Sequence, residues 1–214
     1  MKIETFTLGA FMVNCYLATS DDGRHGVLID APEEIETVLD LCDGRGLEPS
    51  VLVNTHGHVD HIIGNEAVKR HWPGIQLAIH ADDAPKLASS LRNLSVLMGL
   101  AVKSPPADRL LADGDRIVFG DESLDVLHVP GHSVGGIALA SRPKAGPPVV
   151  FTGDTLMAMS VGRTDFPGCS WASLEKAIRE KLLTLPDETL CYPGHGPKTT
   201  IGRERTNNPY INGE

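Results

Sequence analysis

Between positions 55 and 61 the chain reads T-H-G-H-V-D-H, which brings His56, His58, Asp60 and His61 together in a very short stretch. In extended or loop backbone, alternate residues share a face, so His56 and His58 can point the same way. Asp60 and His61 then fall where a following helix should begin and can face the same space. Four such groups would be costly to hold together in an interior unless a cation gathered them. Three more candidates stand apart in the sequence: His132 in VPGHSVGG, Asp154 in VVFTGDT and His195 in CYPGHGP. Each follows an apolar run and has glycine close by, which lets the backbone turn sharply and approach a site. Five histidines and two aspartates exceed what one tetrahedral ion uses. They suit two divalent ions, zinc first, with iron or manganese also compatible with nitrogen and oxygen ligands. The remaining histidines, His25, His71, His80 and His128, lack such company and read as surface or packing residues.

The elements that must position these groups can be read from periodicity. Lys2–Leu8, Val13–Ala18 and Gly26–Ala31 read as a β meander. Glu33–Asp43 carries Ile35, Val38, Leu39 and Cys42 at helical spacing, with Pro32 before it and Gly44 and Gly46 after it. Val51–Asn54 is a buried strand that runs into the histidine loop, and a helical pattern resumes from Asp60 to His71. Gln76–His80 reads as a strand. Asp82–Leu100 reads as an interrupted helix whose apolar middle packs against a neighbour or a second subunit. Strands follow at RIVF, Leu124–His128, Gly135–Ala140, Val149–Thr152 and Thr189–Tyr192, with an amphipathic helix over Trp171–Leu183. The tail from Ile201 to Glu214 is expected to pack loosely. Strand meanders followed by strand–helix units predict a layered α/β chain with sheet buried between helices.

Composition narrows the function classes. The 214 residues are 41% hydrophobic and 22% charged, which fits one compact domain and excludes a disordered chain or a fibre. A net charge of -9 argues against a nucleic-acid scaffold. No apolar run is long enough to span a membrane. Glu4 and the interruptions at Thr7, Gly9 and Asn14 do not suit a secretory signal, so a cytoplasmic protein is expected. Cys15, Cys42, Cys169 and Cys191 show no C-x-x-C spacing and read as reduced thiols. Neither a dinucleotide fingerprint nor a phosphate-binding P-loop motif is present.

The motifs THGHVDH at Thr55–His61, PGH at Pro130–His132, GD at Gly153–Asp154 and PGHG at Pro193–Gly196 resemble the metallo-β-lactamase superfamily. The resemblance covers nearly the whole chain. It implies an αββα sandwich, two mixed β-sheets flanked by helices, with metals at the edge between the sheets. It further implies that His56, His58 and His132 hold a first ion, that Asp60, His61 and His195 hold a second, and that Asp154 bridges both. VGRTDFPG at Val161–Gly168 and the run from Tyr192 to Tyr210 resemble the short glyoxalase II-like (hydroxyacylglutathione hydrolase-like) enzymes. Residues 1–214 would then form one catalytic domain, without the C-terminal helical domain that helps longer relatives bind glutathione.

The resemblance implies hydrolysis of a small thioester such as S-lactoylglutathione. A metal-bound hydroxide, oriented by Asp60 and Asp154, would attack the carbonyl. The thiolate leaves readily, so no strong general acid is required. An anionic glutathione conjugate would need local positive charge, for which Arg163, Lys198, Arg203 and Arg205 are the candidates; for Arg163 an ion pair with Asp165 is the competing reading. The expected partner is this small molecule, with no nucleic acid and no membrane, and a monomeric or homodimeric protein. Two other readings stand beside it. The GRTD stretch also resembles persulfide dioxygenases, whose single iron would be held by His56, His132 and Asp154. A non-catalytic, metal-stabilised interaction domain is the third. β-Lactamase activity is less expected, because such enzymes usually act outside the cytosol.

Overall fold

In a computed structural model that describes residues 1–212, two six-stranded sheets lie face to face. The first sheet comprises β1 (Lys2–Leu8), β2 (Val13–Thr19), β3 (Gly26–Ile29), β4 (Val51–Val53), β5 (Gln76–His80) and β6 (Arg109–Leu111), side by side in chain order. Its first three strands are antiparallel and the rest run parallel from β3 onward. The second sheet contains β7 (Arg116–Phe119), β8 (Glu122–His128), β9 (Ile137–Ser141) and β10 (Val149–Gly153). A short ribbon, β11 (Leu156–Met157) with β12 (Ser160–Val161), follows, and β13 (Leu190–Pro193) and β14 (Thr199–Thr200) complete the second sheet beside β10. The β10–β13 pair is parallel and the other pairs are antiparallel, so both sheets are mixed.

Strand alternation builds the layers. In the first sheet Tyr16, Ala18, Val27, Ile29, Val53 and Ala78 face the second sheet, where Ile117, Leu124, Val126, Leu139 and Phe151 meet them. The intervening residues Leu17, Leu28, Leu52 and Leu77 point outward, against Val38, Leu39 and Cys42 of α1 (Glu36–Gly44) and Val68 of the third helix. On the far side Ala138, Val150 and Cys191 pack under Leu174 and Ile178. Helices therefore cover both outer faces of the sandwich, the αββα arrangement expected above. Each strand in the middle is buried on both faces, which explains runs such as GVLI and VLV that show no polar alternation.

The expected helix over Asp60–His71 is two: α2 (Val59–Ile62) and α3 (Asn65–His71). They part at Gly64, where a Cβ would press on the carbonyls of Pro32 and Ala31 at 2.5 and 2.9 Å. Asp82–Leu100 is mostly irregular, keeping only α4 (Ala84–Leu87) and a tight turn over Ser95–Met98. Its Ser and Asn side chains bind local backbone instead: Asn93 Oδ1 accepts from Ser95 N at 3.0 Å, and Ser95 Oγ donates to Ser90 O at 3.2 Å. Leu91 and Leu97 of this segment stay exposed in the single chain. The strand β6 lay outside the periodicity reading.

Trp171–Leu183 is largely as expected: α5 (Trp171–Ala177) is capped by Ser170, whose Oγ accepts from Ser173 N, and a wider helical turn continues it to Leu182. The tail corrects the expectation of loose packing. Residues 201–212 form α6 (Ile201–Asn207) and α7 (Pro209–Asn212), with Ile201, Glu204, Asn208 and Ile211 buried; residues 213 and 214 lie outside the described part. Glu204 accepts from Thr199 Oγ1 at 2.6 Å, Met159 N at 2.8 Å and Asn208 Nδ2 at 2.9 Å, tying the tail to the ribbon. Two polar members disguise what is a helical stripe. All four cysteines are unpaired, and no helix among the described residues is long and apolar enough to cross a membrane.

Candidate metal centre

The seven candidate side chains leave the ends of four strands along one edge of the sandwich. His56 and His58 follow β4, with His58 still extended at the threshold of α2, and Asp60 and His61 occupy its first turn. His132 lies in the connection from β8 to β9, Asp154 follows β10 and His195 follows β13. His195 reaches back to the first sheet through a bridge with Val13, so both sheets meet at this edge.

Among these seven side chains, three groups each bring their potential ligand atoms within 4.8 Å of one another: His56, His58 and His132; Asp60, His61 and His195; and His56, His61 and Asp154. Asp154 lies between the other two. Its Oδ1 is 3.4 Å from His61 Nε2, and its Oδ2 is 3.5 Å from both His132 Nε2 and His195 Nε2. Asp60 Oδ2 stands 3.4 Å from His195 Nε2 and 3.6 Å from His61 Nε2. His58 Nδ1 and His132 Nε2 face each other at 2.9 Å.

The site's unmet hydrogen-bonding capacity fits cations. His56 Nε2, His61 Nε2 and Asp154 Oδ1 are buried and have no partner. Buried polar atoms are normally paired, and three orphans in one cluster of nitrogen and oxygen donors match a divalent-ion site. At the other ring nitrogen, four of the five histidines are held by the protein. His56 Nδ1 meets Thr55 Oγ1 at 3.1 Å, His61 Nδ1 meets Asp30 Oδ2 at 2.9 Å, His132 Nδ1 meets Arg163 O at 2.9 Å and His195 Nδ1 meets Phe11 O at 3.1 Å. Such contacts fix the tautomer and aim Nε2 at the centre.

Glycine opens the space for this crowding. A Cβ at Gly194 would collide with Asp154 Oδ1 and come within 2.8 Å of His61 Cε1.

Two supporting residues were not found by motif reading. Asp30, 1% exposed and with φ +61, accepts from Thr55 N at 2.7 Å and Thr55 Oγ1 at 2.8 Å as well as facing His61. Only its place at the end of GVLID, next to Ala-Pro, hinted at a role. Asp83 is fully buried and ties the histidine loop to the His132 loop: Oδ2 accepts from Gly57 N at 2.7 Å and from Ser133 Oγ, and Oδ1 accepts from Gly135 N at 2.8 Å. Lys86 Nζ lies 3.3 Å from Asp83 and 3.5 Å from His58 Nε2.

Electrostatics divides the cluster. Burial pushes His56 well below the usual imidazole value, reinforced by His61, His58 and His132, and takes His58 down to about 3. Burial also opposes charge on His61, but Asp60, Asp154 and Asp30 outweigh it and raise this imidazole well above its ordinary value. His195 is raised in the same way by Asp60 and Asp154 against its burial. Desolvation disfavours the charged forms of Asp154 and Asp60, yet the neighbouring histidines hold both carboxyls below their usual range. Burial thus dominates at His56 and His58, and the neighbouring carboxylates dominate at His61 and His195.

Asp83 gives a pH prediction. Burial works against its ionisation, but Lys86, the Ser133 hydroxyl and the Gly57 and Gly135 amides hold its carboxyl below the usual aspartate range. A carboxyl depressed in the folded state adds stability above its unfolded pKa and loses it as pH falls through the folded one. Between pH 5 and pH 3, Asp83→Asn should therefore lose less stability than the parent protein while being less stable at pH 7. Denaturant melts of metal-free protein measure this; parallel pH curves would refute it.

Above the centre opens a cavity of about 550 Å³, lined in part by Phe11, Leu97, Met98, Arg163 and Phe166. Of the four candidate substrate cations only Arg163 lines it. Its guanidinium is bidentate on Asp165, at 2.7 and 2.6 Å, and stacks on Phe166 at 4.1 Å from the ring centre. Arg163 thus makes the ion pair with Asp165 and also borders the cavity. Lys198 and Arg203 are exposed elsewhere. Arg205 pairs with Asp187 and donates to Leu183 O and, at 2.8 Å, to Leu185 O, which commits it to closing the α5–β13 connection. Arg203 and Arg205 ride on α6, and neither they nor Lys198 belong to the cavity lining.

Comparison with known proteins follows the same lines. The model of the family described as the metallo-beta-lactamase superfamily matches residues 8–195. Hydroxyacylglutathione hydrolase GloC of Haemophilus influenzae is 34% identical over 218 residues, covering 99% of each chain. The mitochondrial persulfide dioxygenase ETHE1 of Homo sapiens is 34% identical over 206 residues, covering 92% of this chain and 70% of its own. Among solved structures, the BLEG-1 B3 metallo-beta-lactamase superposes with a TM-score of 0.92 at 33% identity, covering 99% of this chain and 100% of that one.

Proposed function

The chain belongs to the metallo-β-lactamase superfamily, and from that premise we propose that it is a metal-dependent hydrolase of small acyl thioesters. His56, His58 and His132 would hold one ion, Asp60, His61 and His195 a second, and Asp154 would serve both. When bound, two such ions supply Lewis acidity toward a carbonyl oxygen and lower the pKa of a water molecule. Zinc suits this donor set best, and iron and manganese fit it too.

The observation that carries the reading is what the cavity offers a leaving group. Its polar lining consists of ligand-type side chains, Asn93 and Arg163. Asn93 already donates through Nδ2 to Val102 O at 3.0 Å and accepts through Oδ1 from Ser95 N. Arg163 remains a cation at any working pH. Neither is an acid suited to protonating an amine as it departs. A thiolate needs no such help, because free thiols ionise near pH 8.5. In the balanced reaction, water oxygen bonds to the acyl carbon, the C–S bond breaks with its electron pair on sulfur, and of the water's two protons one goes to the departing thiolate and the other is released as the product ionises to a carboxylate. Asp60 and Asp154, as carboxylate members of the ligand groups, would orient the attacking water.

A second reading rests on the approach of His132 Nε2 to Asp154 Oδ2 with His56 alongside. Those three would hold the single iron of a persulfide dioxygenase, the activity for which the human relative is named.

One experiment separates the two. Ions per chain are counted by plasma mass spectrometry, and the same sample is assayed with S-lactoylglutathione, an uncharged acyl thioester, a β-lactam and glutathione persulfide in an oxygen electrode. The hydrolase reading expects roughly two ions per chain, thioester cleavage well ahead of β-lactam cleavage, and no oxygen uptake. One iron with persulfide-dependent oxygen uptake would replace it with the dioxygenase reading.

A further inference from the structure

Beyond the candidate ligands, Asn93 and Arg163, the cavity lining is apolar, and part of it is held in position by specific contacts. Leu97 and Met98 sit on the tight turn Ser95–Met98, whose flanks Leu94 and Gly99 both have positive φ, +70 and +71. A leucine in the left-handed region is strained, so the surrounding contacts must fix it there. Those contacts are buried: Asn93 and Ser95 are fully enclosed, Asn93 O accepts from Val59 N at 2.9 Å, and Ser95 Oγ accepts from Val102 N at 3.2 Å. The turn is therefore anchored directly to the first residue of α2, next to Asp60. It presents Leu97, 68% exposed, and Met98, 40% exposed, to the cavity, with Phe11, 50% exposed, also on its lining. Large apolar side chains left exposed beside a reactive centre mark a binding surface more often than chance exposure does.

Charge points the same way. Arg163 is the one cation that lines the cavity among the described residues, and its guanidinium is already bidentate on Asp165. A thiol carrier with two carboxylates, such as glutathione, finds no second cation along this lining. An uncharged chain finds Leu94, Leu97, Met98, Phe11, Val161 and Phe166.

Resting on the thioester reading above, we infer that the acyl half of the substrate is an unbranched or aryl apolar group of about four to eight carbons, packed along the 94–98 turn. The short hydroxyacyl group of a lactoyl thioester uses the metal centre and leaves this wall uncovered. The polar end, with its carbonyl, lies at the ligand groups, and the apolar end extends toward Leu97.

The test holds the carrier constant. Acetyl, lactoyl, butanoyl, hexanoyl and octanoyl thioesters of N-acetylcysteamine are compared on metal-loaded enzyme. Burial of each methylene should raise kcat/KM about threefold to fourfold, or about 10²-fold between acetyl and hexanoyl. In a Leu97→Ser, Met98→Ser double variant that slope should flatten; both side chains are surface-exposed, and a thermal melt checks folding. A flat series in the parent enzyme, or lactoyl preferred to hexanoyl, overturns the inference while leaving thioester hydrolysis intact. If no thioester is cleaved, the hydrolase reading fails, and calorimetry of acetate, hexanoate and octanoate binding still decides the wall. Affinity that rises with chain length and is lost in the double variant supports the apolar subsite, and equal affinities overturn it.

Discussion

Asp154→Ala is expected to bind fewer than two ions per chain and to lose about three orders of magnitude in turnover. Among the described residues Asp154 is the one carboxylate whose oxygens face both histidine groups, with Oδ1 toward His61 and Oδ2 toward His132 and His195. Its removal leaves His61 Nε2 without a carboxylate on that side and separates the two ligand groups. Lewis-acid stabilisation of an acyl-transfer transition state is worth several kcal/mol, and about 1.4 kcal/mol corresponds to a factor of ten in rate. The carboxylate also neutralises a charged His61, so metal-free Asp154→Ala should be no more stable than the parent. Metal analysis beside steady-state kinetics checks the result. Two ions per chain and full turnover in the variant would remove Asp154 from the centre.

The second large effect is expected one shell further out, at Asp30. Its two oxygens serve His61 Nδ1 and the amide and hydroxyl of Thr55, and Thr55 Oγ1 in turn touches His56 Nδ1. One carboxylate therefore orients a histidine in each ligand group. Asn tolerates the left-handed backbone found at this position, so Asp30→Asn removes charge and acceptor capacity without forcing a new turn. Its amide nitrogen must then face either the Thr55 amide or a His61 nitrogen that also donates. We expect metal affinity to fall about 10- to 100-fold and the folded state to lose about 1–3 kcal/mol through the unpaired buried donor. Competition with a chromogenic chelator and a denaturant melt measure the two quantities. Unchanged affinity would show that packing alone aims the two imidazoles.

These two residues illustrate what a sequence discloses. Asp154 was legible because chemistry-bearing residues recur at strand ends beside glycine, a local pattern. Asp30 was not, because nothing near it in the chain announces a partner; its role arises when β3 and β4 lie side by side and bring position 30 next to position 55. Asp83 was hidden in the same way, since the amides of Gly57 and Gly135 that it joins come from different sheets. The layer order followed from runs such as VLV and GVLI, whose lack of alternation already implied burial on both faces. Periodicity failed where polar side chains took over backbone bonding, as in 82–100, and where buried polar residues interrupted an apolar stripe, as at Glu204 and Asn208. Nearness along the chain to the PGHG motif did not bring Lys198, Arg203 or Arg205 into the cavity lining, and α6 carries the two arginines.

The division of the ligands between the sheets also sets an order of events during synthesis. His56, His58, Asp60 and His61 emerge early, on the first sheet, but each of their groups lacks a member that only the second sheet supplies: His132 for one and His195 for the other. A nascent chain that has reached β9 therefore offers only half a centre, and the other half waits for β13, which pairs with β10 in parallel and so needs the intervening α5 segment already in place. Ions held by both groups would span the two sheets and fasten this edge against reopening, and the second group is complete only once His195 has been added.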